Sequence, residues 1–307
     1  MNRIEKILVA TNYSEDARRA ETRGAMLSVQ LKSRLLELMA LRKTRMGLRM
    51  PAVISEAMTV CEDDSRALLA RPEDWRTVLQ RENGPSCVRT LREGNPPRAI
   101  VERADEIDAD LIVVPAHGKR MLADLFTTHG NDELIRVAGR PVLLVNTEPA
   151  DAYRCVIVAI DFSDQSIEAA RTALAVAPSA HITFLHAFRV ADEDMMLEAG
   201  ISLEVIRGLR VRAREAARVR LNSLIDTLDT RRQLVSRVIQ HGKPAAVISA
   251  VARQSNADLV ALGKHGRSPL AEFFLGSVTR RLVDDGVCDL LVTAARRSRE
   301  PELRPAA

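Results

Sequence analysis

Short apolar runs alternate with stretches of helical periodicity along most of this chain. In the second half the runs fall near 155–161, 181–187, 234–240, 258–262 and 289–293, and helix-period stretches near 164–177, 202–228, 244–255 and 277–285. Runs such as Leu290-Leu291-Val292 show no polar alternation, which suits strands covered on both faces. Strands alternating with helices predict a parallel sheet between helical layers. Ser163 or Asp164 is placed to cap the first of these helices, and Pro244 opens the third, where a missing N–H costs nothing. The long second helix carries Ile206, Leu209, Ala213, Ala216, Leu221, Leu224 and Leu228 as its apolar stripe. Its other face holds Arg207, Arg210, Arg212, Arg214, Arg218 and Arg220, which reads as a solvated surface or a polyanion-binding one.

The same pattern occurs twice. Asp110-Leu111-Ile112-Val113-Val114-Pro115-Ala116-His117-Gly118-Lys119-Arg120 matches 258–268 at an offset of 148, and Gly94-Asn95-Pro96 matches Gly242-Lys243-Pro244 at the same offset. The run 7–14 matches 156–163 at 149, and 141–145 matches 288–292 at 147. Four anchors at nearly constant offset define a tandem repeat. The expected organisation is a first domain over 1–149, a second over 150–295, and a polar, proline-containing tail over 296–307 that reads as disordered. Each domain is expected to be a five-stranded parallel sheet flanked by helices. The first repeat departs between 42 and 86, where Met46, Met50, Met58 and Trp75 sit among charges, and Pro51 and Pro72 break any single long helix. That segment reads as a remodelled second helix, as an irregular insertion over the sheet edge, or as the lining of a small apolar cavity.

Composition narrows the function classes. The chain has 307 residues, 46% hydrophobic and 28% charged, with a formal net charge of +4. So small an excess does not argue for nucleic-acid binding. No apolar run reaches the ~18 residues of a membrane span, and 1–6 lead straight into a strand pattern with no secretory core, so the expected location is cytoplasmic. Cys61, Cys87, Cys155 and Cys288 are scattered and suit reduced thiols rather than a disulfide frame or zinc site.

The most informative stretch follows the strand pattern 258–262. Gly263 and Gly266 are followed, after nine intervening residues, by Gly276-Ser277, and a helical pattern then begins. Glycines between a strand and a helix let backbone N–H groups approach an anion closely, and the helix N-terminus adds partial positive charge. Ser277 or Thr279 can add a hydroxyl donor. The spacing fits neither the dinucleotide fingerprint nor the Walker loop. With Asp161 ending Val158-Ala159-Ile160-Asp161, it resembles the ATP-binding members of the universal stress protein family, whose motif is Gly, two residues, Gly, nine residues, Gly, then Ser or Thr.

The resemblance implies tandem Rossmann-like (adenine nucleotide alpha hydrolase-like) α/β domains and one ATP, with or without magnesium, in the second. It places Ala159 and Asp161 at the end of the first strand near the adenosine, and Ala187 near the adenine. Leu262 and Gly263 close the fourth strand, Gly266 passes close to the phosphates, and Gly276, Ser277, Val278 and Thr279 hold them. Arg267, Lys264 and His265 either neutralise phosphate charge or point to solvent; Asp161 and Ser277 have helix capping as their alternative roles. At the matching first-repeat positions stand Asn12, Pro115, Gly118, Thr128 and His129. Pro115 removes a donor, Thr128 puts a Cβ where a phosphate would lie, and Asn12 lacks the carboxylate, so that copy is expected to be degenerate. No catalytic or metal-binding constellation is assigned. A regulatory ATP-binding protein of the stress response is the first expectation; a slow ATPase or phosphotransferase and a nucleotide-free scaffold are the alternatives. The family also implies pairing through the last strands, either as a pseudo-dimer within the chain or as a homodimer.

Overall fold

The computed structural model describes residues 3–11, 15–42, 86–116, 128–264 and 277–293. The readings made for 43–85, for the loop residues Gly118, His265, Gly266, Arg267 and Gly276, and for the tail lie outside these residues. The first half runs β1 (Lys6–Thr11), α1 (Glu15–Gln30), β2 (Leu35–Arg42), β3 (Ser86–Glu93), α2 (Pro96–Glu106), β4 (Leu111–Pro115), α3 (Thr128–Val137) and β5 (Val142–Val145). The second runs β6 (Cys155–Ala159), α4 (Asp164–Val176), β7 (His181–Phe188), α5 (Glu193–Glu198), α6 (Leu203–Asp226), β8 (Leu234–His241), α7 (Pro244–Gln254), β9 (Leu259–Gly263), α8 (Ser277–Asp285) and β10 (Asp289–Thr293).

All ten strands form one sheet in the order β3-β2-β1-β4-β5-β10-β9-β6-β7-β8. Pairing is parallel within each half, and β5 meets β10 antiparallel, with Leu144 opposite Leu290, Leu143 opposite Leu291 and Val142 opposite Val292. Successive strand residues point to opposite faces, so Leu290 and Val292 enter one core while Leu291 enters the other. The first core packs under α2, α3, α7 and α8 through Ile100, Leu134, Val251 and Leu282. The second packs under α1, α4 and α6 through Leu27, Ala173 and Leu221. Both cores run through the two halves, which explains the uninterrupted apolar strands.

The repeat is also visible in its polar clips. Asp110 accepts the backbone N–H groups of Glu5 and Lys6 at 2.8 and 3.0 Å, pinning the start of β1 beside β4. Asp258, 148 residues on, does the same for Arg154 and Cys155 at 2.7 and 2.8 Å. A carboxylate that receives two N–H groups satisfies donors the ladder would leave bare.

Three expectations shift. β6 ends at Ala159 rather than 161, because Phe162 adopts a left-handed backbone (φ 65°) that turns the chain into α4. Ile206, Leu221 and Leu228 of the expected α6 stripe are buried and Leu224 packs against the core; Ala217 and Ile225 are buried too, and Ala216 is exposed, Ala217 taking its place on the buried face. The six-residue helix α5 was not expected, since a span that short carries no readable period. Its Glu193 is buried and accepts hydrogen bonds from Arg210 of α6 and, at 2.7 Å, from His241 at the end of β8. Arg210 first, then His241, holds the Glu193 carboxyl down at about 2.

The two halves are locked by one buried carboxylate. Asp289, at the start of β10, is inaccessible to solvent. Its Oδ1 accepts from Asn146 N–H (2.9 Å), Thr147 N–H (3.0 Å) and Thr147 Oγ1 (2.9 Å), and its Oδ2 from the Tyr153 hydroxyl (2.7 Å). Arg23 of α1 approaches it to 3.4 Å, stacks 4.1 Å over the Tyr153 ring and donates to Asp151 O at 2.7 Å. Burial, then Asp289, keeps the Tyr153 phenol protonated well above its ordinary range. The neighbouring Cys288 thiol is pushed up to about 12, chiefly by burial, and with Cys87 and Cys155 it is unpaired by disulfide. No helix among the described residues is long and apolar enough to cross a membrane.

Asp289→Ala strands Arg23 and Tyr153 in the interior, and a denaturant titration is expected to show a loss of about 3–5 kcal/mol. Glu193 titrates below its usual 4.5, so its stabilisation is present above about pH 4.5 and lost as pH falls toward 2. Hydrogen exchange over 193–198 is expected to accelerate in that window, and Glu193→Gln to remove the dependence.

Candidate functional site

The order of connection reverses at β6: β7 and β8 extend the sheet on one side of it, and β9 and β10, running parallel to it, on the other. At such a switch point the loops leaving the carboxyl ends diverge, and a crevice opens between them. The described residues singled out in the second half collect there. Ala159 ends β6, Asp161 follows it, and Ala187 is the penultimate residue of β7. Leu262 and Gly263 end β9, and Ser277, Val278 and Thr279 form the first turn of α8.

Asp161 is already engaged on one oxygen. Its Oδ1 accepts from the Ser163 N–H at 3.0 Å and the Ser163 hydroxyl at 2.5 Å. Ser163 in turn caps α4 by accepting from Ser166 N–H at 3.2 Å. The capping alternative is therefore realised through Ser163, and Oδ2 has no partner among the described residues. Between these two residues Phe162 keeps its left-handed backbone, a conformation costing on the order of 1–2 kcal/mol that persists only under outside constraint. The constraint is visible: Arg220 of α6 lies 4.2 Å over the Phe162 ring, and His186 of β7 packs 4.6 Å from it. His186 Nδ1 sits 2.7 Å from Ile160 O, and because a carbonyl only accepts, that nitrogen carries the proton.

Gly263 has a steric reason of its own. A Cβ there would lie 2.8 Å from Gln165 Cβ and 3.0 Å from Ser166 N, so only glycine lets the first turn of α4 sit against the end of β9. The Lys264 N–H donates to Thr293 O at 2.7 Å, and its ammonium donates across the dyad to Arg136 O of α3. Thr279 is buried, 1% exposed. The first turn of α8 carries no acidic residue of its own to compete for its N–H groups and dipole, and the same holds for α3.

The first half differs in a way the sequence comparison did not reveal. Asn131, the counterpart of Thr279, is 1% exposed and donates through Nδ2 to Pro115 O at 3.1 Å and Ala116 O at 2.7 Å. This bridge sews α3 to the strand end where the second half keeps Gly263 and Lys264. α3 also begins at Thr128, one residue earlier in the repeat than α8. The signal was present as an asparagine one turn into a helix, a position where a short amide reaches backward.

This architecture is that of a duplicated Rossmann-like α/β protein with its crevice at a topological switch point. The universal stress protein family model matches twice, over residues 3–146 and 152–294, and the chain belongs to that family as a tandem member. It is 24% identical over 223 residues to universal stress protein E of Salmonella typhi, covering 68% of each chain. It is 27% identical over 149 residues to universal stress protein Sll1388 of Synechocystis, covering 46% of this chain and 97% of the relative. Among solved structures, the protein PA1789 of Pseudomonas aeruginosa superposes with a TM-score of 0.62 at 18% identity, covering 95% of this chain and 93% of that one. A universal stress protein of Archaeoglobus fulgidus gives 0.58 at 15% identity, covering 95% and 99%. At these identities the two structures speak for the fold alone.

Gly263→Ala forces its methyl into the α4 backbone. A thermal melt without any ligand is expected to show a loss of about 1–3 kcal/mol.

Proposed function

We propose that this chain is a regulatory ATP-binding protein that takes one nucleotide, in the crevice between β6, β9 and α8 of its second half. The observation that carries the reading is the asymmetry between the two copies of one site. In the second half the glycine spacing Gly263, Gly266, Gly276, Ser277 is intact, and α8 opens at the crevice. In the first half Pro115 and Thr128 replace two of the glycines, and Asn131 bridges helix to strand.

The residues present fit a triphosphate. The first N–H groups of a helix have no intrahelical partner, and those of Ser277, Val278 and Thr279 would receive phosphate oxygens. Arg267 would supply positive charge, while Lys264 stays on the Arg136 carbonyl and so points away from the phosphates. Asp161 Oδ2 would accept from a ribose hydroxyl, while Ser163 fixes the other oxygen and so the rotamer. Ala159, Leu262 and Ala187 would offer small apolar surface to the adenine. Bound ATP would supply no chemistry to the protein beyond its charge and shape. A magnesium ion accompanying it would be held by the phosphates, since no group of three or more His, Cys, Asp or Glu able to hold a metal occurs among the described residues. Occupancy would then bias the conformation presented to partners.

Acid extraction of the purified protein followed by nucleotide chromatography is expected to release adenine nucleotide, at about one per chain at most. Calorimetry on the stripped protein is expected to give one site for ATP, lost by at least about tenfold in Gly276→Val and unchanged in Asn131→Ala. No heat with ATP and magnesium at high protein concentration would refute the proposal, and two equal sites would refute the asymmetry. Phosphate release above the Gly276→Val control would turn the reading toward a slow ATPase.

A further inference from the structure

The connection 265–276 has described residues at both of its ends, and both ends touch the same helix of the other half. On the entry side the Lys264 ammonium donates to Arg136 O in the last turn of α3. On the exit side Arg280, one turn into α8, lies 3.6 Å from Asp132 of α3. Asp132 is largely covered, with its side chain 17% exposed, whereas Arg280 is 54% exposed. Four residues separate Asp132 from Arg136, so both contacts fall on one face of α3.

The repeat makes this pair informative. At the offset of 148 that aligns Pro115 with Gly263, Asp132 aligns with Arg280. The two are equivalent positions meeting each other across the pseudo-twofold axis, close to where β5 and β10 pair. In a symmetric homodimer a residue on the dyad faces its own copy, and a charge there meets a like charge. Only a fused pair with diverged halves can place an acid opposite a base at that point. Asn131 and Thr279, at the preceding positions, diverged as well: one bridges helix to strand, and the other leaves that bridge unmade.

We infer that the first half acts as a bracket for the second: α3 holds Lys264, just after β9, through Arg136 O, and Arg280, one turn into α8, through Asp132. Asp132 and Arg280 are positioning residues. They touch no expected ligand atom and act by fixing where α8 begins and how its N–H groups are aimed. The consequence for ATP rests on the function proposed above; the bracket itself does not.

The test uses the full chain and a charge swap. Asp132→Arg sets two guanidinium groups against each other, and Arg280→Asp, on an exposed side chain and therefore safe for folding, sets two carboxylates together. The double variant restores the pair in reverse. Hydrogen exchange without nucleotide is the first readout: each single variant is expected to speed exchange of the 277–285 amides, and the double variant to return it toward wild type. ATP titration is the second, with each single variant weakening binding by about threefold to tenfold and the swap recovering to within about twofold. Lys264→Met gives an independent arm, expected to speed exchange at the same amides. Unchanged exchange in both single variants, or a swap that recovers nothing, overturns the bracket. If the wild type binds no ATP, the proposed function fails, while the exchange measurement still decides the bracket.

Discussion

The structure depends on a carboxylate that never meets water. Asp289 starts the strand that joins the two halves; both of its oxygens accept hydrogen bonds from the linker, and Arg23 of the opposite half lies 3.4 Å away. An unpaired buried charge would be costly, so the position is stable only when Thr147, Tyr153 and Arg23 arrive together. That makes the link between halves conditional on the fold of both: α1 brings Arg23 from the first, the linker brings Tyr153, and β10 brings the charge. The antiparallel ladder of β5 and β10 supplies the contact area, and the carboxylate makes its geometry specific.

From that junction the site follows. Joining the sheets through their last strands brings α3 and α8 over the same core, where the Asp132 and Arg280 side chains meet, since each helix immediately precedes its half's last strand. The end of β9 beside the candidate crevice is therefore tied to the first half through Lys264. Duplication in one chain frees each copy to specialise. The first has traded glycines for Pro115 and a side-chain bridge from Asn131. The second keeps its glycines and a left-handed Phe162 held by aromatic and cationic neighbours.

Much of this was legible in the sequence because it rests on local or repeated features. Strand positions follow from apolar runs, and the repeat from four anchors. The loop between β9 and α8 stood out because glycine is the one residue whose backbone freedom shows as composition. The features that were not legible depend on long-range geometry. Phe162 is an ordinary apolar residue in sequence, and nothing local says that its backbone turns left-handed. Asn131 acquires meaning only when α3 lies over the end of β4. On α6 the buried alanine is Ala217 rather than Ala216, because alanines at 213, 216 and 217 leave the phase in the middle of the helix underdetermined. Gly263 was chosen for a ligand, yet its neighbours show that the packing of α4 alone would demand it.

The ten-stranded sheet has a consequence at its rims. Closing the two halves on each other leaves β5 and β10 with neighbours on both sides, so among the described residues the strand edges lie at β3 and β8. Both rims carry guanidinium groups, Arg89 and Arg92 on β3 and Arg237 on β8, which disfavour recruitment of a foreign strand. Joining the halves hides the two inner edges at the seam and leaves outer margins guarded by charge.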